Sequence, residues 1–246
     1  MSDFDIIVPV YGAIPHLLKC LWPLAGYSVI VVDDGSEEQG QLNTIARKYS
    51  NVRMYHHAEN RGFIEACHTG MARSKAERVL FLNSDVIPSR EAIEGMLAVD
   101  AAVVGCRLLF PNGRIQHAGV ARDIQGAPYH PFMHLHAETP HAQRVMEVNA
   151  VTGAAFMVRR AIWDKLGGFD RAYSPGVFED VDFCWKVVEI GEKVVYNGGA
   201  WMIHHMHGSR QKDKPYMHDT AQANLQRLMT RFALETDEAL FYGNIS

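Results

Sequence analysis

Cysteine is scarce in this chain. The four thiols, Cys20, Cys67, Cys106 and Cys184, are scattered through 246 residues with no Cys-x-x-Cys pair. That spacing excludes a disulfide scaffold and a zinc ribbon, and it points to reduced thiols in a cytosolic protein. No apolar run reaches the roughly 18 residues of a membrane span. The opening Met1-Ser2-Asp3-Phe4-Asp5 lacks the basic start of a secretory leader, so membrane contact is expected to be peripheral. Positive charge is not in excess either. A net charge of −4 argues against a general binder of nucleic acid or anionic membrane. There is no GxxxxGK[ST] loop and no GxGxxG turn, which disfavours a P-loop NTPase and a dinucleotide oxidoreductase. Repeats, low-complexity tracts and linkers are absent as well, so one domain with an insertion is expected.

What remains is ordinary globular material, 48% hydrophobic and 21% charged, long enough to bury a sizeable core. The first half alternates strand and helix signals. Apolar, β-branched runs at Asp5–Val10, Val29–Val32, Val52–Tyr55 and Val79–Leu82 read as strands. Helical spacing follows from Pro15, through Leu42–Tyr49, over Gly62–Arg73 and from a Ser89 cap to Leu97. This order predicts a parallel sheet covered on both faces. Ala102–Leu109 and Gly153–Val158 read as further strands, Ala161–Leu166 and Asp180–Ile190 as helices, and Val194–Tyr196 and Ala200–Ile203 as two strands. The polar, His- and Pro-rich stretch from about Asp123 to Glu147 reads as a long loop or flap. Tyr216–Leu234 reads as an amphipathic helix, packed on the domain or used in a dimer.

Three acidic groups stand out. Asp33-Asp34 and Asp85 end strands, where α/β sheets bind ligands. Asp33 or Asp34 suits a base N–H or a ribose hydroxyl, and Asp85 suits a hard cation bridging a diphosphate; the competing reading of Asp33-Asp34-Gly35-Ser36 is a plain turn. Glu179, Asp180 and Asp182 crowd within four residues after Gly167-Gly168-Phe169-Asp170 and the Pro175-Gly176 loop. Clustered carboxylates call for a cation, a proton or a hydrogen-bonding substrate, unless they only complement a helix N-terminus. His204-His205-Met206-His207 suggests metal coordination, more so if Asp85 lies near. His117, His130, His134, His136 and His141 form a weaker candidate for a second metal site. Trp163, Trp185, Trp201 and Phe169 suit either a sugar face or the core.

Taken in order, the motifs Ile7-Val8-Pro9-Val10-Tyr11, Val32-Asp33-Asp34-Gly35-Ser36, Asn60-Arg61-Gly62-Phe63, Leu82-Asn83-Ser84-Asp85 and Ile115-Gln116-His117-Ala118-Gly119 form one set. Val151-Thr152-Gly153-Ala154, Gly167-Gly168-Phe169-Asp170, Glu179-Asp180-Val181-Asp182-Phe183, His204-His205 and Ser209-Arg210 complete it. The set resembles a family-2 glycosyltransferase of the GT-A fold. The resemblance implies a single GT-A (Rossmann-like) α/β domain with a mixed, mainly parallel central sheet flanked by helices. It places that domain at about 1–215, with a nucleotide-sugar half to about 110, an acceptor half at about 111–215, and a helical tail at 216–246. It further implies an inverting, metal-dependent hexosyltransferase of the kind used in polysaccharide synthesis. Such an enzyme moves a sugar from a nucleotide-diphosphate donor, UDP- or dTDP-linked, to a hydroxyl of a glycan or lipid-linked acceptor. By the same resemblance Pro9, Val10, Tyr11, Asp33, Asp34, Arg61 and Ser84 line the nucleotide pocket, and Asp85 and His204 hold Mn²⁺ or Mg²⁺. Asp180 becomes the general base, and Glu179 sits near the donor sugar or acceptor.

Two positions depart from the family pattern. Asn83 stands where many relatives carry the first Asp of Asp-x-Asp, and His68 stands where Asn is common. The alternative reading is a catalytically silent nucleotide-sugar or glycan-binding module, which the intact Glu179-Asp180 pair disfavours. A pyrophosphorylase would want a Gly-rich phosphate loop near the start, and a zinc hydrolase would want further metal ligands.

Overall fold

The computed structural model describes residues 3–206 and 216–232. His207, Ser209, Arg210 and Leu234, used in the sequence reading, lie outside the described residues. Strands β1 (Phe4–Val10), β2 (Val29–Asp33), β3 (Val52–His56) and β4 (Arg78–Leu82) form the parallel half of a sheet. Helices α1 (Ile14–Leu21), α2 (Gln39–Lys48) and α3 (Phe63–Arg73) connect them. All seven residues of β1 are buried, as a strand covered on both faces requires. Its side chains alternate between two cores. Ile7, Ile30 and Phe81 face Ile64 and Cys67 of α3, while Ile6, Val8 and Val31 face Leu17 of α1 and Leu42 of α2.

The later half adds β5 (Val86–Ile87), α4 (Arg90–Leu97), β6 (Val103–Leu109), β7 (Ile115–His117), β8 (Ala121–Arg122), β9 (Pro128–Tyr129) and β10 (Val145–Glu147). β11 (Ala155–Arg159), α5 (Arg160–Leu166), α6 (Glu179–Glu189), β12 (Val194–His204) and α7 (Tyr216–Arg231) follow. The Ser89 hydroxyl caps α4, accepting from the Ala92 N–H at 3.1 Å. The sheet order is β10-β12-β6-β11-β4-β1-β2-β3, with β5 beside β12 and β7 beside β6. β11 runs antiparallel between β4 and β6 and joins the two halves, setting Phe156 beside Phe81 and Met157 beside Val104.

Three local expectations change. The 123–147 stretch is not one long loop: a β8–β9 hairpin enters it, and a 3₁₀ turn at Pro140–Gln143 and the edge strand β10 follow. Strands of two or three residues are too short to leave a period. Val194–Tyr196 and Ala200–Ile203 belong to one strand, β12, whose register against β6 shifts between Asn197 and Trp201. There the Asn197 carboxamide accepts from the Gly199 N–H at 3.0 Å, so the glycine pair bends the strand without ending it. The double glycine before the acidic cluster has a packing role. Gly168 has φ +75°, and a Cβ there would lie 2.5 Å from the Trp163 ring and 2.7 Å from His68. Trp163, Phe169 and Trp185 are buried core residues, and Trp201 is half-exposed.

Candidate active site

A cavity of about 1080 Å³ opens beyond the carboxyl ends of β1, β2 and β4. The chain passes from one side of β1 to the other between β3 and β4, so this is the switch point at which open α/β sheets take ligands. Pro9, Val10, Tyr11, Asp34, Asn60 and Asn83 wall it from the parallel half. Gln116, His117, His130, Glu179, Asp180 and His204 wall it from the other.

The two acids ending β2 have different surroundings. Asp33 is fully buried and lies outside the cavity wall; its carboxylate accepts from the Ser36 N–H at 3.0 Å, the Ser36 hydroxyl and His56 Nδ1 at 2.7 Å. Asp34 reaches the cavity but holds the following loop, accepting from the N–H groups of Arg61 at 2.9 Å and Gly62 at 2.7 Å and from His57 Nδ1 at 2.7 Å. A carboxylate offers about four acceptor positions, so Asp34 keeps about one for a ligand. The Arg61 guanidinium is half-exposed, 3.7 Å from Glu65, and Ser84 is buried; neither lines the cavity.

Asp85 and His204 come together from opposite ends of the sequence. His204 Nε2 lies 3.2 Å from Asp85 Oδ1, because β12 ends on β5 with His204 opposite Val86. His204 Nδ1 lies 2.6 Å from Gln116 Oε1, and the other end of that amide faces the His204 carbonyl. The arrangement puts the ring hydrogen on Nδ1 and turns the Nε2 lone pair toward a carboxylate. Two lone-pair groups that face each other call for a proton or a cation between them, and a Gln that orients a ligating His is a usual outer-shell partner. The residues therefore fit a divalent ion, although no cluster of three or more His, Cys, Asp or Glu suited to a metal occurs among the described residues. The other histidines disperse. His134 stacks on Phe110 with ring centroids 5.2 Å apart, and His136 Nδ1 accepts from the Glu138 N–H at 3.2 Å.

Glu179 and Asp180 open α6 after a strained turn, with Val177 at φ +119° and Phe178 at φ +72°. Phe63 pins that turn from one side through its N–H to the Pro175 carbonyl at 3.1 Å. Asn224 of α7 pins it from the other, donating to the carbonyls of Tyr173 at 3.0 Å and Val177 at 3.2 Å. The sequence reading passed over Asn224 as a support of this turn, since it lies 47 residues from Val177 with no motif around it. Burial first, and then the charge of Asp180, push the Glu179 carboxyl up to about 8. Burial also raises Asp180, opposed by the N–H groups of Gly153 at 2.6 Å and Val181 at 2.8 Å. The two acids form one coupled buried pair whose affinity for protons is raised as a unit.

The glycosyl transferase family 2 model matches residues 5–166. The chain belongs to glycosyl transferase family 2. It is 28% identical over 218 residues to the pre-mycofactocin glycosyltransferase of Mycobacterium tuberculosis, covering 86% of this chain and 44% of that protein. The chain thus spans less than half the length of that curated relative. It is 25% identical over 246 residues to the N-acetylglucosaminyl-diphospho-decaprenol L-rhamnosyltransferase of the same organism, covering 87% of this chain and 80% of that one. Among solved structures, GalNAc-T7 with UDP, GalNAc and Mn²⁺ superposes with a TM-score of 0.71 at 13% identity, covering 92% of this chain and 47% of that one. The family-2 chain shares the GT-A fold of that protein, with the mixed, mostly parallel sheet that the motifs implied.

Proposed function

We propose that this chain is an inverting glycosyltransferase that moves a sugar from a UDP- or dTDP-sugar to a hydroxyl of a glycan or lipid-linked acceptor. One observation carries the reading. Asp180 and His204, which is paired with Asp85, line one cavity, so a base and an ion site face a single bound sugar. The acceptor hydroxyl gives its proton to the Asp180 carboxylate as its oxygen bonds to the anomeric carbon. The bond from that carbon to the diphosphate oxygen breaks, and its electron pair leaves with the nucleotide. Attack opposite the leaving group inverts the anomeric centre. Asp85 and His204 would hold Mn²⁺ or Mg²⁺, which when bound supplies Lewis-acid stabilisation of the departing diphosphate. Glu179 keeps its proton and can donate a hydrogen bond to the sugar. Pro9, Val10, Tyr11 and the remaining acceptor position of Asp34 serve the nucleotide.

No helix among the described residues is long and apolar enough to cross a membrane. We place the enzyme in the cytoplasm, reaching lipid-linked acceptors at the membrane surface. A thermal-shift screen of UDP, dTDP, GDP and CMP with and without Mn²⁺ tests the donor. One nucleotide should raise the melting temperature, and only with the cation. Asp180→Asn should keep that shift and lose about 10³-fold in nucleotide release from the matching sugar donor, within the range of general-base catalysis. Full activity in Asp180→Asn would end the base assignment.

A further inference from the structure

Two histidines of the cavity wall have no part in the chemistry above. His117 closes β7 and His130 follows β9, and their Nδ1 atoms lie 3.1 Å apart with the rings crossed at 77°. The N–H groups of Gly119 and Thr152 point at His117 Nε2 from 3.3 and 3.4 Å. A backbone N–H can only donate, so His117 Nε2 keeps its lone pair and the ring hydrogen sits on Nδ1. That hydrogen goes to His130 Nδ1. His130 therefore carries its own hydrogen on Nε2, and the Gly119 backbone favours its protonated form. The result is a one-way chain from the Thr152 and Gly119 N–H groups through His117 to His130.

Neither ring can take a second proton without loss. On His117 Nε2 it would meet two N–H groups, and on His130 Nδ1 it would meet the His117 N–H. Burial acts in the same direction, and with the neighbouring imidazole it holds His117 well below the usual histidine range; His130 is lowered as well. The ionisable groups facing the pair are Asp180, whose charge favours a protonated His130, and His204 and Tyr196 beside His117. Asp180 in turn is bonded to the Gly153 N–H, next to the Thr152 N–H that His117 receives.

We propose that His117 is a positioning residue that locks His130 in its neutral form, and so keeps the Asp180 carboxylate from gaining a cationic partner. This inference rests on the reading of Asp180 as the base. An imidazolium on the cavity wall that Asp180 shares would favour the carboxylate and weaken it as a proton acceptor. A neutral ring in the same place closes the acceptor side of the cavity at no cost in basicity.

The test uses the full chain without substrate. In ¹⁵N NMR of the imidazoles, His117 should appear as the Nδ1–H tautomer and His130 as the Nε2–H tautomer. Neither should titrate as pH falls from about 7.5 to about 5.5, across the ordinary histidine value of about 6.5. In His117→Phe, His130 should titrate higher than in the wild type, and the ¹³C signal of the Asp180 carboxyl should titrate about one pH unit lower than in the wild type. In His130→Gln, the Asp180 curve should stay within about 0.3 pH unit of the wild type, because one neutral group replaces another. A wild-type His130 that titrates near 6.5, or an Asp180 curve unmoved in His117→Phe, overturns the proposal. If His117→Phe does not fold, the wild-type tautomers and His130→Gln decide, and an Asp180 titration raised by about one unit in His130→Gln overturns it. Should these titrations hold while Asp180→Asn retains transfer, the lock stands and the base assignment falls.

Discussion

Two pairs of adjacent acids, Asp33-Asp34, of which Asp34 reaches the cavity, and Glu179-Asp180, which both line it, meet opposite conditions. Around Asp33 and Asp34, serine, histidine and backbone donors take up most of the oxygen lone pairs. Those carboxylates act as struts for the loops between Gly12 and Gly62. Around Glu179 and Asp180 the donors are fewer than burial demands, and the affinity for protons rises. A buried acid with its lone pairs satisfied organises backbone; one left short of donors is ready to accept a proton. The contrast separates a pair held by donors from a pair with raised proton affinity more sharply than their similar sequences do.

Substitutions that remove acceptors should break this comparison most strongly on the scaffold side. Asp34→Ala strips partners from two buried N–H groups and from His57, and should destabilise the protein by about 3–5 kcal/mol, read by urea denaturation. A loss under about 1 kcal/mol would mean that water replaces the carboxylate there. Asn224→Ala should cost about 1–3 kcal/mol, because the buried side chain serves two carbonyls of the catalytic turn. It should also lower turnover while nucleotide binding holds; an equal fall in both would show that this turn does not position Asp180 alone. Glu179→Gln should act only through pH. Glu179 rises from 4.5 to about 8 on folding, so its protonated form favours the native state, and wild-type stability should decline as pH climbs through that window. Glu179→Gln should abolish that decline, and parallel stability curves from pH 5 to about 9 would show that Glu179 ionises normally. Arg61→Ala, an exposed member of an i,i+4 pair with Glu65, should change stability by less than about 0.5 kcal/mol. A marked loss of nucleotide affinity in Arg61→Ala would bring its guanidinium into the site after all.

Much of this architecture is legible in the residues themselves. Val29–Val32 can only be a doubly covered strand, and an aspartate directly after such a run must sit at the ligand end of the sheet. Asp85 and His204 were each visible, and so was the dependence of one on the other. The acceptor side was harder to read. Strands such as Ala121–Arg122 and Pro128–Tyr129 are shorter than one period of the pleat. The His117–His130 pair is defined by backbone N–H groups of Thr152 and Gly119, and a main-chain donor has no letter in the sequence. Among the five histidines of that region, residue type alone suggested a metal, while the geometry gave a tautomer chain.

The α7 contacts carry a consequence for the order in which the protein is made. On a ribosome the four parallel strands can assemble while the last helix is still inside the exit tunnel. Until Asn224 arrives, the Tyr173 carbonyl keeps only the Gly176 N–H, and the turn before Asp180 lacks its second anchor. The turn ahead of Glu179 and Asp180 would therefore settle only after α7 had been synthesised and packed.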